Sequence, residues 1–327
     1  MIHEQAIIQQ YRQDFAASQD FYEQMLTLCQ ALGDRMGISE ALFGIGYIAR
    51  LRSDYAVASS TLEECLSLKR QMVLKKGVAF CLRNLGCVAR DQGDYTDAMV
   101  FLEEALETAR ACGESQVVAE ILGSMGVVAL FSEDYAEARR LNEECLQFRR
   151  TNGYKQDIGE SLLCVAIIAL AENSLEEAQS LLTEALELFQ QVGSPIGISK
   201  SMCTIAHVAL QQGNLAEAEE LIRAALCHLK GFLVPRETTE ELEQVAQIVH
   251  ARGDSIGAIC LLGAAEVLRQ QMGSRRLPFY QSLFDQQVQV LRNELIESQF
   301  ASAWSQGSAM TLEQAVAYAF TRLPDGP

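Results

Sequence analysis

An all-α solenoid, made by stacking helical hairpins of forty residues, is the fold that this sequence predicts. Three observations carry the prediction. Gly46, Gly86, Gly126, Ala166, Ala206 and Ala246 are six small residues at one unbroken interval of forty, and Ala58, Ala98, Ala138, Ala178, Ala218 and Ala258 form a second column that never varies. Within each unit the apolar residues recur at three and four, as in Leu82, Leu85, Cys87, Val88, Ala89 and then Tyr95, Ala98, Phe101, Leu102, Ala105, Leu106, which is the spacing of one helix face. Only five prolines occur in 327 residues, and Pro278, Pro324 and Pro327 lie in the last fifty. A long helical body fits that distribution, because proline is excluded from helix interiors.

The elements follow in order. Phe15, Ser18 and Leu26 hold the columns shifted back by one period, so residues 1–37 are expected to form a degenerate first hairpin. Residues 38–273 carry six units. Their first helices bear Leu42, Leu82, Leu122, Leu162, Met202 and Leu242, and their second helices bear the small residues Cys65, Ala105, Cys145, Ala185, Ala225 and Ala265. Asp54, Asp94, Asp134, Ser174, Asn214 and Asp254 precede the second helices, where a short side-chain oxygen can accept from a first-turn amide. Gly93 and Gly213 supply the turn ahead of them, and Gly33, Gly113, Gly153, Gly193 and Gly273 fit a left-handed stop at the end of the second helix. Leu277-Pro278 then breaks the pattern. Tyr280, Leu283, Phe284, Val288, Leu291 and Leu295 make one further stripe, Phe300 and Trp304 a shorter one, and Thr311 with Gln314 reads as a capping box. Residues 274–327 are therefore expected to cap the open end of the stack.

The two small columns are a packing requirement. A lone hairpin cannot bury its apolar stripe, so it stacks on its neighbour, and close axial approach needs residues with little or no side chain at the contacts. Helix propensity alone would scatter the alanines and would not select glycine.

Large apolar, apolar-Gly and Ala in the first helix, then Ala, a large apolar residue and Ala in the second, is a pattern that resembles the tetratricopeptide repeat. Leu82, Leu85-Gly86, Ala89, Ala98, Leu102 and Ala105 stand at its signature positions, and the resemblance covers residues 38 to about 270. It departs in having Leu or Met where an aromatic is usual and a period of forty rather than thirty-four. That lengthening resembles the long-repeat, MalT-like subclass of large bacterial regulators and of kinesin light chains. Residues 261–269, 277–278, 300–307 and 311–316 are similar, in order, to the LLGAAExLR, Leu-Pro, Phe-xxx-Trp-xx-Gly and Thr-Leu-Glu-x-Ala-Val segments in the tail of bacterial signalling ATPases and LuxR-type transcriptional regulators. The resemblance implies a right-handed superhelix and a role as the C-terminal sensor or partner-binding region of such a regulator. The parent's ATPase and DNA-binding domains are missing from this chain, since neither a GxxxxGK[ST] loop nor a basic recognition helix is found.

Composition narrows the chemistry. A net charge of −17 argues against direct nucleic-acid binding, which rests on clustered Lys and Arg. Ten cysteines without a CxxC pair, set in apolar stretches, read as reduced core residues of a cytoplasmic protein. The start MIHEQAIIQQYRQDF has no signal-peptide pattern, and AICLLGAAEVL at 258–268 is too short to span a bilayer. His3, His207, His228 and His250 show no metal-ligand spacing, so neither metal nor cofactor is expected. Cys203 and His207, at i and i+4, are better read as core than as nucleophile and base, and the pairs Glu63-Glu64, Glu103-Glu104 and Glu143-Glu144 as a solvated face.

Function is then expected in a groove lined by first helices, not in catalysis. Counting along that face yields Phe43, Tyr47 and Arg50 in one unit, Phe80, Arg83 and Arg90 in the next, then Val127, Leu130 and Phe131, then Leu163 and Ile167, and His207. The arginines could hold a carboxylate or phosphate of a ligand, or could pair with Glu40 and Asp91 nearby. The expected occupant is a peptide, a protein segment or a small effector. A stand-alone scaffold that self-associates through its edges is the alternative.

Overall fold

The structure, a computed structural model, describes residues 15–229 and 235–323, so His3, Pro324, Pro327 and the first half of the expected N-terminal hairpin lie outside it. Sixteen α-helices and no strand occur among the described residues: α1 (Phe15–Leu32), α2 (Arg35–Leu51), α3 (Tyr55–Gln71), α4 (Lys75–Gln92), α5 (Tyr95–Ala111), α6 (Ser115–Phe131), α7 (Tyr135–Asn152), α8 (Lys155–Ala171), α9 (Leu175–Val192), α10 (Pro195–Gln211), α11 (Leu215–Leu229), α12 (Pro235–Ala251), α13 (Ser255–Gln271), α14 (Pro278–Glu294), α15 (Glu297–Ser308) and α16 (Leu312–Arg322). Two compact units divide the chain after Ser132.

The forty-residue period resolves into twenty. Left-handed residues stand at Gly33, Ser53, Val73, Gly93, Gly113 and Glu133, and again at Asn173, Gly193, Gly213, Gly253 and Gly273, each one in a connection between helices. Such a residue turns the chain back while its amide pairs with a carbonyl of the last helical turn, as Gly93 does with Arg90. Gly153 departs from the expectation. It is extended, with φ −97° and ψ 168°, and its amide bonds the carbonyl of Arg149 at 2.6 Å. The Arg149 side chain there reaches across to the carbonyl of Asp157 and the hydroxyl of Ser161, tying α7 to α8 through an extended linker.

In the first unit each of α1 to α5 packs on the helix that follows it. The small columns sit at the points of closest approach. A Cβ on Gly86 would lie 2.8 Å from Leu102 Cγ and 3.0 Å from the carbonyl of Ala98, and Ala58 and Ala98 are wholly buried. Leu62, Leu82 and Leu102 fill the space between, each fully buried and worth about 2 kcal/mol of hydrophobic stabilisation. One pair of columns sixteen residues apart faces across neighbouring hairpins. It brings Cys65 and Cys81 to 3.3 Å, and in the second unit Cys145 and Ser161 to 3.5 Å.

The second unit repeats this scheme from α7 to α13, with Ala138, Ala178, Ala218 and Ala258 all inaccessible. The ring of Phe189 takes the space left by two glycines: a Cβ on Gly159 or Gly197 would fall 2.7 or 2.3 Å from it. Backbone proximity holds α15 on α13. A Cβ on Gly307 of α15 would sit 1.9 Å from the carbonyl oxygen of Cys260, and one on Gly263 of α13 would sit 2.7 Å from that of Trp304. Gly263 and Gly307 thus give the 261–269 and 300–307 motifs a physical meaning, because they let α13 and α15 cross without side chains between them. Phe300 and Trp304 stack at 5.7 Å beside the crossing. Thr311 and Gln314 form the capping box of α16, and Arg223 donates to the carbonyl of Leu323 at its end.

Candidate ligand-binding site

In the first unit, α2 and α4 turn aromatic residues toward a cleft of about 760 Å³. Phe43, Tyr47, Phe80 and Arg83 from these first helices line it, with Tyr22 of α1, Lys69 of α3, and Val73 to Gly77 at the start of α4. Its size falls within the range of small-molecule and peptide side-chain sites.

Two glycines shape the walls. A Cβ on Gly44 would lie 2.4 Å from the ring of Tyr22, so only glycine lets that ring lie flat against α2. A Cβ on Gly77 would lie 2.6 Å from Lys69 Cδ, so the lysine stem runs along α4. Lys69 is almost fully buried, donates to Glu40 at 2.8 Å and stands 5.1 Å over the Phe43 ring. Burial opposes its charge, but the hydrogen bond to Glu40 and the neighbouring Cys65 outweigh it and hold its pKa above the ordinary value. Burial, with Glu40 and Tyr47 adding to it, pushes the Tyr22 phenol up. Arg83 spans from α4 to α6, donating to Ser124 at 3.2 Å and pairing with Glu120 at 3.4 Å, and Lys76 pairs with Glu114 at 2.9 Å.

The other expected groove residues fare differently. Arg50 and Arg90 both bind Asp91, at 3.1 and 2.6 Å, and none of the three lines the cleft. The two guanidinium groups share that one carboxylate, which is the pairing alternative the sequence left open, and neither reaches the cleft. Leu130 and Phe131 are buried, the latter stacked on Tyr95 at 5.8 Å, and Val127 is half-buried. In the second unit Leu163 is buried within the hydrophobic core and Ile167 is half-buried. His207 is 2% exposed with Phe279 of α14 edge-on to its ring, so it offers no open surface. Around Cys203 and His207, burial pushes the thiol well up, helped by Glu241, Glu240 and Glu243, and pushes the imidazole down. Those directions oppose what a thiolate nucleophile and its base require.

Counting along the first helices passed over Tyr22, Lys69, Val73, Leu74, Lys75 and Lys76, since the cleft is closed by neighbouring helices and a turn. One sign was legible: Leu74 stands in the register of Asp34, an apolar residue in place of a capping one just before two lysines.

Residues 77–151 match the tetratricopeptide repeat family model. That stretch carries tetratricopeptide repeats. Over 80 residues, 24% of its length, the chain is 31% identical to a protein of Mycobacterium bovis named as an HTH-type transcriptional regulator, and the match takes in 9% of that protein, less than a tenth of its length. Among solved structures, the Rap conjugation gene regulator of plasmid pLS20, in complex with the Phr* peptide, superposes with a TM-score of 0.68 at 14% identity, covering 83% of this chain and 73% of that one. The apo form of RapI gives 0.65 at 12% identity, covering 83% and 97%. The signal transduction ATPase with a tetratricopeptide repeat sensor from Pyrococcus horikoshii gives 0.61 at 15% identity, covering 89% of this chain and 44% of that one. At these identities the structural likeness speaks for the repeat fold. No helix among the described residues is long and apolar enough to cross a membrane.

Proposed function

We propose that this tetratricopeptide-repeat chain is a non-enzymatic recognition module, the sensor or partner-binding region of a bacterial signal-transducing regulator acting in the cytoplasm. In this reading residues 38–273 do the recognising and residues 274–327 cap them. The cleft of the first unit supports it most directly: four residues expected on the binding face, Phe43, Tyr47, Phe80 and Arg83, converge on one cavity of ligand size. Stacked repeats offer extended binding surfaces of this kind. The presence of a peptide in the pLS20 Rap regulator and of a repeat sensor in the archaeal ATPase favours a peptide, protein segment or small effector as occupant.

A random peptide library displayed on phage and selected against the native chain tests this. Selected peptides should lose at least about tenfold in affinity on Phe80→Ala or Tyr47→Ala, and be indifferent to Glu103→Gln on the exposed side. Binders that ignore the cleft substitutions would sink the reading. A concentration-dependent assembly untouched by them would favour the self-associating scaffold instead.

A further inference from the structure

The second unit shows what this face accepts when it is filled. Four periods separate Tyr47 from His207 and Arg83 from Glu243, so these pairs occupy the same register. In the second unit the chain's own segment at 276–280 lies over them. Phe279 meets His207 with ring centroids 6.1 Å apart, Tyr280 bonds Thr204, and Arg276 pairs with Glu243 at 2.9 Å. The occupant is thus an aromatic group beside a charge opposite to that of its wall.

In the first unit the wall charge is inverted. The chain as a whole is acidic, at −17, yet Lys69, Lys75, Lys76 and Arg83 line the cleft against the single carboxylate of Glu40. Glu40, Glu114 and Glu120 offset Lys69, Lys76 and Arg83. Lys75 is exposed and makes no ion pair among the described residues. Its backbone environment adds to the same sign. Asp34 caps the amides of Met36 and Gly37, whereas Leu74, one period later, gives the start of α4 no side-chain cap. The surplus amounts to one positive charge, which suits a monoanion better than a doubly charged phosphate.

We infer that the cleft binds a carboxylate attached to an aromatic or branched apolar group, with the carboxylate at Lys75 and Lys76 and the apolar body beside Phe43 and Phe80. This rests on the cleft being a binding site, and goes further in naming the chemistry of its ligand. The carboxylate can belong to the end of a peptide or to a free small acid. An attraction of this kind, at an exposed edge, weakens as salt rises.

The native chain is titrated, by calorimetry or by NMR shifts, with four probes: N-acetylphenylalanine, its amide, and the peptide Gly-Ser-Gly-Ser-Leu-Phe with a free or an amidated C-terminus. Each acid should bind at least about tenfold more tightly than its amide. In K75Q/K76Q the preference should fall to about twofold or less because the acid loses affinity more than the amide, while Phe80→Ala weakens acid and amide together. Preference for N-acetylphenylalanine over the free-carboxylate peptide would assign a small acid as the source, and the reverse a peptide end. Equal binding of acid and amide, an acid preference that survives K75Q/K76Q, or no saturable binding by any of the four overturns the inference. The broader reading stands or falls separately, on whether phage-selected peptides of any charge depend on Phe80 and Tyr47.

Discussion

The two units use one repeat pattern and treat the same face in opposite ways. In the first, α2 and α4 leave a cleft between aromatic residues, bounded by ion pairs that are partly open to solvent. In the second, α14 lies over the corresponding positions, burying His207 under Phe279 and enclosing Arg269 and Arg276 with Glu243 and Glu266. Arg276 also stacks on Phe284 at 3.7 Å. The difference lies in the sign of the wall charge, Arg83 in one unit and Glu243 in the other, and in what the chain lays across the face. A repeat face is apolar enough to need a cover, and where the chain does not supply one a ligand can.

That contrast can be broken at its strongest point by Gly307→Val. The new side chain has no room against the backbone of Cys260, so urea unfolding should show a loss of at least about 3 kcal/mol, with the last three helices released first in hydrogen exchange. Next, Asp91→Ala leaves Arg50 and Arg90 mostly buried without their carboxylate. It should cost the first unit about 2–3 kcal/mol, and a smaller loss would mean the arginines are free enough to serve a ligand. Phe279→Ala opens the second unit's face at a cost of about 2 kcal/mol. The His207 imidazole, now held below its ordinary value by burial, should then titrate closer to that of an exposed histidine in NMR.

The smallest effect concerns acid. Because burial, against a hydrogen bond with Gln247 that favours the charged ring, lowers the His207 pKa, the unfolded chain binds that proton more readily than the folded one. The resulting stability is fully present above the ordinary pKa of about 6.5 and is lost as the pH falls from there through the folded value. Melting between pH 7.5 and 5 should therefore show a decline that is shallower in His207→Gln. An equal slope in both proteins would mean that Phe279 does not keep water from the ring.

Much of the fold was legible because its cause is periodic. Clearance at Gly86 and Ala98 recurs at each hairpin, so it leaves a column in the sequence; the capping box at Thr311 and the stop at Pro278 are local signals of the same clarity. The cleft was half legible. Phe43, Tyr47, Phe80 and Arg83 follow from the helical period, but Tyr22 and Lys69 come from other helices, and their approach depends on Gly44 and Gly77, which stand outside the strict columns. For Arg50 and Arg90 the sequence left a ligand or Asp91 open as the partner, because periodicity cannot say whether neighbouring charges face a ligand or one another. His207 misled because its cover comes from more than seventy residues further along the chain.

The left-handed residue that returns at intervals of twenty means that the backbone starts afresh at each connection. Between Gly33 and Glu133, where that residue recurs without a gap, helix and turn together consume the same length, so a hairpin there can be duplicated or excised as a block of forty without shifting the register of those that remain. Such a chain can be lengthened by gene duplication in whole steps, and the number of its recognition faces is something that selection can adjust independently of what each face binds.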